Sequence, residues 1–139
     1  MTKVTVTEDI QGPAAAVWAA LSDFGGIKVG GPITAFETEG EGVGMLRTIT
    51  MGGGQIVERL DVHDDAAMRF AYSIVNDDGP LPVSNYAATV QVTDKGDGSC
   101  NVTWSGEFEP RGVPEEQAKA IVEGIYKGGI AGARKAVSG

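Results

Sequence analysis

Residues 114–136, PEEQAKAIVEGIYKGGIAGARKA, decide the fold because they predict one long amphipathic helix. The stretch begins with a proline and two glutamates, which favour the first turn of a helix. Apolar and small residues then recur with a period near 3.6, which places them on one face of the helix. These residues are Ala118, Ile121, Val122, Ile125, Gly129 and Ala133. A helix with such a face needs a large apolar surface to pack against.

The sequence ahead of this helix predicts that surface. Residues 3–10 alternate between apolar and polar positions, as a half-buried strand does, and residues 33–110 predict six further strands. The separators between the six strands are rich in glycine, aspartate and proline, at 39–42, 52–54, 64–65, 77–80 and 95–98. Gly12-Pro13 opens a short helix after the first strand, and a second short helix or turn follows it.

We therefore expect residues 1–139 to form a single α+β domain. Its predicted architecture is a curved seven-stranded antiparallel sheet wrapped around the long C-terminal helix, with two short helices after the first strand. Glycine makes up 21 of the 139 residues, about twice its usual share. The hydrophobic fraction of 42% is nevertheless too high for a disordered chain.

Charge and composition exclude several classes of function. The net charge is −8 and the basic residues are scattered, so neither nucleic acid nor an anionic membrane surface is an expected partner. A single cysteine cannot form an internal disulfide, and one cysteine with one histidine is too few for a typical zinc site. No cofactor motif is present. No apolar run is long enough for membrane insertion, and we expect a soluble, cytoplasmic protein.

Strand alternation assigns a carboxylate to the inner face of the sheet. Glu58 has the same phase as Ile56, Leu60 and Val62. A carboxylate in that position is costly unless it is paired or hydrogen-bonded. Glu58 therefore either contacts a ligand or lies at the sheet edge or at a solvated cavity mouth. His63 has the opposite phase, and we expect a surface histidine.

Two phenols have the same inward orientation. Tyr72 shares a strand face with Ile74, and Tyr86 shares one with Ala88. Each ring suits a core, but each hydroxyl needs a partner if it is buried. Two phenols and a carboxylate that face one interior are typical of a small-molecule pocket. Trp104 and Cys100 lie on one face of the last strand, and both are expected in the core.

Glycines repeat along the C-terminal helix. Gly124, Gly128 and Gly132 follow one another at intervals of four residues, and Gly129 lies beside them. Each interior glycine costs a helix about 1 kcal/mol relative to alanine. Such a stripe could allow close helix–sheet packing, seat a partner helix or leave space for a ligand, and periodicity does not choose among these.

Three tracts resemble the START-like superfamily, which includes Bet v 1-type and bacterial polyketide cyclase/dehydrase-like proteins. They are GPAAAVW (12–18), ERLDVHDD (58–65) and GPLPVSNY (79–86). The E-R-L, D-D and N-Y elements are similar to the branch that includes the plant abscisic-acid receptors and their bacterial relatives. The resemblance implies a helix-grip fold that encloses a mostly apolar cavity between the sheet and the C-terminal helix.

The same resemblance implies pocket roles for Glu58 and Tyr86, and pairing of Lys28 with a ligand carboxylate. Where those receptors have their gate and latch loops, this chain has Gly52-Gly53-Gly54 and Leu81-Pro82-Val83. A phosphatase-docking mechanism is therefore not expected. The candidate ligand-binding residues are Lys28, Glu58, Tyr72, Ile74, Tyr86, Ala88, Trp104 and Ile125.

Three functions are compatible with these observations. The first is binding of a small hydrophobic ligand (a lipid, polyketide or isoprenoid-like molecule) in the internal cavity. The alternative is an aromatase/cyclase-type enzyme that acts on a polyketide-like substrate, with Glu58 as general base and Tyr72 or Tyr86 as proton donor. The third is an interaction module built on the glycine stripe.

Overall fold

Seven antiparallel strands form one sheet in the computed structural model, which describes residues 1–26, 29–76 and 78–138. The strands are β1 (Thr2–Ile10), β2 (Ile33–Glu39), β3 (Leu46–Met51), β4 (Gly54–Asp64), β5 (Arg69–Ile74), β6 (Val83–Asp94) and β7 (Cys100–Pro110). Helix α1 (Ala14–Ser22) follows β1, and helix α2 (Glu115–Ser138) follows β7.

The order of strands across the sheet is β1-β7-β6-β5-β4-β3-β2. Strands β2 to β7 form a meander of hairpins, and β1 pairs with β7. The tightest turn joins β3 to β4 through Gly52 and Gly53, whose φ angles are +57° and +78°. A two-residue hairpin loop needs positive φ at both positions, and glycine supplies it without steric cost. The predicted seven-stranded helix-grip architecture is confirmed.

Only the first of the two short elements expected after β1 is a helix in the described residues. Helix α1 is anchored to the turn between β4 and β5, because Nε1 of Trp18 donates a hydrogen bond of 2.9 Å to Oδ1 of Asp65. The second element is a turn at Phe24 and Gly25, and residues 27–28 lie outside the described part of the chain.

Helix α2 buries a face that overlaps in part with the predicted one. Its buried residues are Ala118, Val122, Tyr126, Ile130 and Ala133. The prediction missed Tyr126 and instead assigned Ile125, which is 41% exposed, to the inner face. Tyr126 lies at the centre of the buried face. Its ring stacks on Trp104, with 5.1 Å between the ring centroids. Cys100 is fully buried in the core, as expected.

A β-bulge at Asp61 reverses which residues face inward and which face outward in the part of β4 that follows it. Leu60 pairs with Tyr72, but Val62 pairs with Ala71, so Asp61 has no partner in the register. An extra residue in one strand shifts the alternation by one position. Val62, predicted to face inward, is therefore exposed on the outer face. His63, predicted in the opposite phase, pairs with Phe70 on the inner side instead.

Beyond the bulge, the His63 ring lies 5.4 Å from the ring of Trp18, and its Nε2 lies 2.9 Å from Oδ1 of Asp65. His63 is thus a partly exposed structural residue at the end of the sheet that holds α1. Within the described residues, neither helix has the length and apolar character needed to cross a membrane. The same residues contain no cluster of side chains suited to a metal ion.

Candidate functional site

A cavity of about 310 Å³ lies between the concave face of the sheet and α2. Most of its wall is aliphatic: Ile33, Ile49, Met51, Ile56, Ile74, Leu81 and Ile125. The polar side chains are fewer, and they come from neighbouring strands: Arg47, Glu58, Tyr72, Tyr86 and Trp104. An apolar wall with a few fixed polar groups is the usual construction of a small-molecule site.

The carboxylate of Glu58 is paired inside this cavity. Nε of Arg47 lies 2.7 Å from Oε1 of Glu58, and the two side chains are only 11% and 9% exposed. The pairing follows from the β3–β4 hairpin, since each residue lies four positions from the end of its strand at the glycine turn, and the register places them opposite each other. Arg47 thus supplies the counter-charge that an inward carboxylate requires.

Phe24 completes the environment of Arg47. Nη1 of Arg47 donates a hydrogen bond of 3.2 Å to the carbonyl oxygen of Phe24. The guanidinium carbon also lies 3.8 Å from the centroid of the Phe24 ring, in a cation–π contact. The turn after α1 therefore fixes Arg47, and Arg47 in turn orients Glu58.

A chain of hydroxyls crosses the inner wall next to the ion pair. Nε1 of Trp104 donates to the hydroxyl of Tyr72 at 3.2 Å. The Tyr72 and Tyr86 hydroxyls lie 3.3 Å apart, and those of Tyr86 and Tyr126 lie 2.5 Å apart. We call Tyr72, Tyr86 and Tyr126 the phenol chain. Each buried hydroxyl has a partner, as buried polar groups require.

Burial raises the pKa of all three hydroxyls in the phenol chain above the ordinary value for tyrosine. The negative charge of Glu58 raises the pKa of Tyr72 further, because ionisation would place a second negative charge beside it. The phenols therefore remain protonated over the physiological pH range. They can donate hydrogen bonds to a bound molecule, but they cannot act as bases.

Two glycines make room for this arrangement. A Cβ at Gly106, in β7, would coincide with the hydroxyl of Tyr126. A Cβ at Gly129, in α2, would lie 2.5 Å from Cζ3 of Trp104. Gly129 is therefore the glycine of the helix stripe that serves close helix–sheet packing. Gly124, Gly128 and Gly132 have no atom within 4 Å of their Cβ positions and are exposed.

The structure brings together six of the eight candidate site residues around the cavity: Glu58, Tyr72, Ile74, Tyr86, Trp104 and Ile125. Ala88 is buried in β6 but does not line the cavity. It borders a separate concavity of about 300 Å³ on the other face of the sheet, beside Lys3 and Asp61. Lys28 lies outside the described residues, and its role stays a prediction.

Sequence reasoning missed two of the polar residues at the site. Arg47 could have been found from the glycine turn, which alone sets the β3–β4 register and places Arg47 opposite Glu58. Tyr126 could have been found from the four-residue spacing of Val122, Tyr126 and Ile130, which gives a more continuous buried face than the one chosen.

Comparison with known proteins assigns this chain to a family. A family profile described as polyketide cyclase / dehydrase and lipid transport matches residues 1–138. The chain belongs to this family. A search of curated proteins gave no match.

Solved structures agree with the family assignment. The protein XoxI from Bacillus cereus is 31% identical, with a TM-score of 0.84, and the alignment covers 99% of this chain and 96% of that one. An uncharacterised protein from Bacillus thuringiensis is 30% identical, with the same TM-score, and the alignment covers 99% of this chain and all of that one.

A third structure extends the likeness to the fold alone. Ara h 8.0201 is 20% identical to this family member, with a TM-score of 0.77 and 98% of both chains covered. The predicted START-like and Bet v 1-like resemblance is confirmed at the level of the superfamily. The finer likeness to the abscisic-acid receptor branch stays a prediction.

Proposed function

We propose that the protein binds a small hydrophobic molecule, of the lipid, polyketide or isoprenoid-like class, in the cavity between the sheet and α2. The observation that carries the proposal is the aliphatic wall around about 310 Å³ of space, with polar groups from β3 to β7 at one side. This volume is at the lower end of the range for small-molecule sites. Family membership supports the same class of ligand.

The ion pair supports binding of a ligand that is mainly apolar. Arg47 and Glu58 neutralise each other, so the described cavity wall carries no net charge. An apolar molecule in the cavity would leave water without having to compensate an unpaired charge. Its burial would be favourable by roughly 25 cal/mol for each Å² of apolar surface removed from water.

A fluorescence titration with N-phenyl-1-naphthylamine tests the proposal. This neutral probe emits strongly only in apolar surroundings, and we expect saturable binding with one site per chain. The variant Ile74→Trp would fill part of the cavity from β5, so we expect it to lose most of the probe binding.

The matched control is Val62→Trp, which adds the same side chain at an exposed position on the outer face of β4. We expect it to bind the probe like the unmodified protein, and thermal denaturation of both variants would verify folding. Equal binding by the two tryptophan variants would place the probe outside the cavity and contradict the proposal. Native mass spectrometry of protein purified from its own host would then identify a co-purifying ligand.

Catalysis is the second candidate function, because Glu58 and two phenols face the same cavity. In an aromatase/cyclase-type reaction Glu58 would take a proton, and Tyr72 or Tyr86 would donate to the developing oxyanion. The contact between Arg47 and Oε1 of Glu58 favours non-catalytic binding, since it commits one carboxylate oxygen to a structural pair.

The variant Glu58→Gln separates the two functions, because glutamine keeps an oxygen that can accept from Arg47. An enzyme would lose most of its turnover of a polyketide-like substrate but retain binding. A binding protein would show only a modest change in affinity. Unchanged turnover in this variant would exclude Glu58 as the general base.

A further inference from the structure

The phenol chain contains one more hydrogen-bond donor than it can use. Three phenols carry three hydroxyl hydrogens, but only two contacts join them, at 3.3 Å and 2.5 Å. The remaining contact of the chain uses the hydrogen of Trp104, which donates to Tyr72. Among the described residues, the three hydroxyls form no other hydrogen bond. One hydroxyl hydrogen is therefore left without an acceptor.

In two of the three possible arrangements the surplus hydrogen lies on a residue that lines the cavity. If Tyr126 donates to Tyr86 and Tyr86 donates to Tyr72, it lies on Tyr72. If Tyr72 and Tyr126 both donate to Tyr86, it lies on Tyr86. Both of these residues line the cavity. The third arrangement leaves it on Tyr126, which is fully buried and does not line the cavity, and an unused buried donor there is costly.

The neighbouring charge limits what can accept this hydrogen. Glu58 lies diagonally across the β4–β5 pair from Tyr72, since Glu58 pairs with Ile74 and Leu60 pairs with Tyr72. The positive charge of Arg47 is already matched by Glu58 at 2.7 Å. A ligand carboxylate at this point would add a second negative charge in a poorly solvated space, whereas a neutral carbonyl oxygen would not.

We infer that the cavity takes a neutral apolar molecule that places a carbonyl oxygen (of a ketone, aldehyde or ester) against the hydroxyls of Tyr72 and Tyr86. The inference rests on the proposed binding function and specifies its ligand class. A carbonyl fits better than a hydroxyl, because it accepts the surplus hydrogen and brings no hydrogen of its own that needs a further acceptor. The aliphatic wall takes the rest of the molecule.

Three probes of nearly the same shape test this inference: 2-acetylnaphthalene, 2-ethylnaphthalene and 2-naphthoate. Their affinities are measured by NMR titration of the indole N–H of Trp104, with the indole of Trp18 in α1 as an internal reference. We expect the ketone to bind about tenfold more tightly than the hydrocarbon, the gain of one good hydrogen bond in a poorly solvated site. We expect the carboxylate to bind more weakly than the ketone.

The hydrogen count makes opposite predictions for two kinds of tyrosine variant. The double variant Tyr72→Phe/Tyr86→Phe removes both hydroxyls of the residues that line the cavity, but it also frees the indole N–H of Trp104, which loses its acceptor. Trp104→Phe is therefore added to the double variant. In this combination, followed by displacement of N-phenyl-1-naphthylamine, the ketone should lose its advantage over the hydrocarbon. Tyr126→Phe removes one hydrogen and one contact, so a surplus hydrogen remains on the other two and the ketone should keep its advantage. If the combined variant does not fold, the order of affinities in the unmodified protein still decides the matter.

Each of the other outcomes contradicts either the carbonyl inference or the proposed binding function. Equal binding of ketone and hydrocarbon overturns the carbonyl inference and leaves the hydrophobic binding function in place. Tightest binding by 2-naphthoate, lost in Lys28→Met, overturns it in favour of a ligand carboxylate held by Lys28. Binding of none of the three probes overturns the proposed function itself, together with the inference that rests on it.

Discussion

The two sides of the sheet meet helix α2 in different ways. On the side of β1 and β7 the helix packs directly on the strands, and valines such as Val4 and Val102 in these strands are buried. On the side of β2 to β5 the sheet curves away from the helix and leaves the cavity. We call these the packed side and the open side.

The comparison shows how one fold separates stability from binding. The packed side uses small β-branched residues that fit closely, as interiors generally do. The open side keeps large aliphatic residues on its wall and includes the buried ion pair of Arg47 and Glu58. The phenol chain, with Trp104, lies at the boundary and joins the two sides through Tyr126. Four measurements test this distinction between the packed side and the open side.

We expect the largest loss of unfolding free energy for Arg47→Met, on the open side. This change leaves Glu58 buried without its counter-charge, which typically costs about 3–5 kcal/mol of unfolding free energy. Urea denaturation would measure it. Adding Glu58→Leu to the same protein should restore most of the loss, since the buried charge is then removed. A loss below about 1 kcal/mol in Arg47→Met would mean that water reaches the pair freely.

The second largest change in stability is expected from the phenol chain at the boundary, when the pH is raised. The raised pKa values of Tyr72, Tyr86 and Tyr126 favour their neutral forms in the folded protein, whereas an unfolded tyrosine ionises near pH 10. Stability from this source is complete below about pH 10 and is lost above it. The loss by about pH 11 should be about 1.4 kcal/mol per tyrosine, or roughly 4 kcal/mol in all.

Ultraviolet absorbance of phenolate measures the same effect without ambiguity, because these are the three tyrosines of the chain. We expect no phenolate in the folded protein as the pH passes 10, followed by ionisation of all three with unfolding. A gradual titration near pH 10 in the folded state would show that solvent reaches the phenol chain.

A smaller effect is expected where the boundary is tightest, for Gly106→Ala. The added methyl group occupies the place of the Tyr126 hydroxyl, and overpacking of this kind costs about 1–3 kcal/mol. Thermal denaturation would measure the loss. Combining it with Tyr126→Phe should recover part of the stability, because the oxygen that collides is then absent. Additive losses in the double variant would contradict the close contact.

The smallest effect is expected outside both sides, for Gly128→Ala. Nothing lies within 4 Å of its Cβ position, so alanine should stabilise the helix by about 1 kcal/mol. The neighbouring Gly129→Ala is the matched comparison, because the same methyl group would press on Trp104. We expect Gly129→Ala to destabilise the protein and to weaken probe binding, whereas Gly128→Ala should leave binding unchanged.

Much of the fold could be predicted from the sequence because its signals are local. Residues of all five predicted separators, at 40–42, 52–53, 65, 78–80 and 95–98, lie between the observed strands. Alternation correctly predicted that Glu58, Tyr72 and Tyr86 are buried. The predicted inner face of α2 was incomplete. It included Ala118, Val122 and Ala133, which are buried, and Ile125 and Gly129, which line the cavity, but it omitted Tyr126 and Ile130. The stacking of Tyr126 on Trp104 is a tertiary contact, which the pattern within one helix does not show.

The site was predicted less completely, since pairing between strands depends on register. The ion pair of Glu58 requires the position of Arg47, which alternation within one strand does not give. The inward face predicted for Val62 was wrong for a related reason, whereas His63 is exposed, as predicted, although its strand phase is reversed. A bulge adds a residue to one strand, and no glycine or proline marks the bulge at Asp61 in the sequence.

The bulge at Asp61 also divides β4 into two parts that contact different regions of the protein. Its first part, through Leu60, contributes to the cavity region, and its last part, from His63, contacts helix α1 through Trp18. Because the shift in register lies between them, the first part of the strand belongs to the cavity and the last part belongs to the contact with α1. Substitutions that adapt the first part to a new ligand can therefore accumulate in evolution without changing the surface that holds α1.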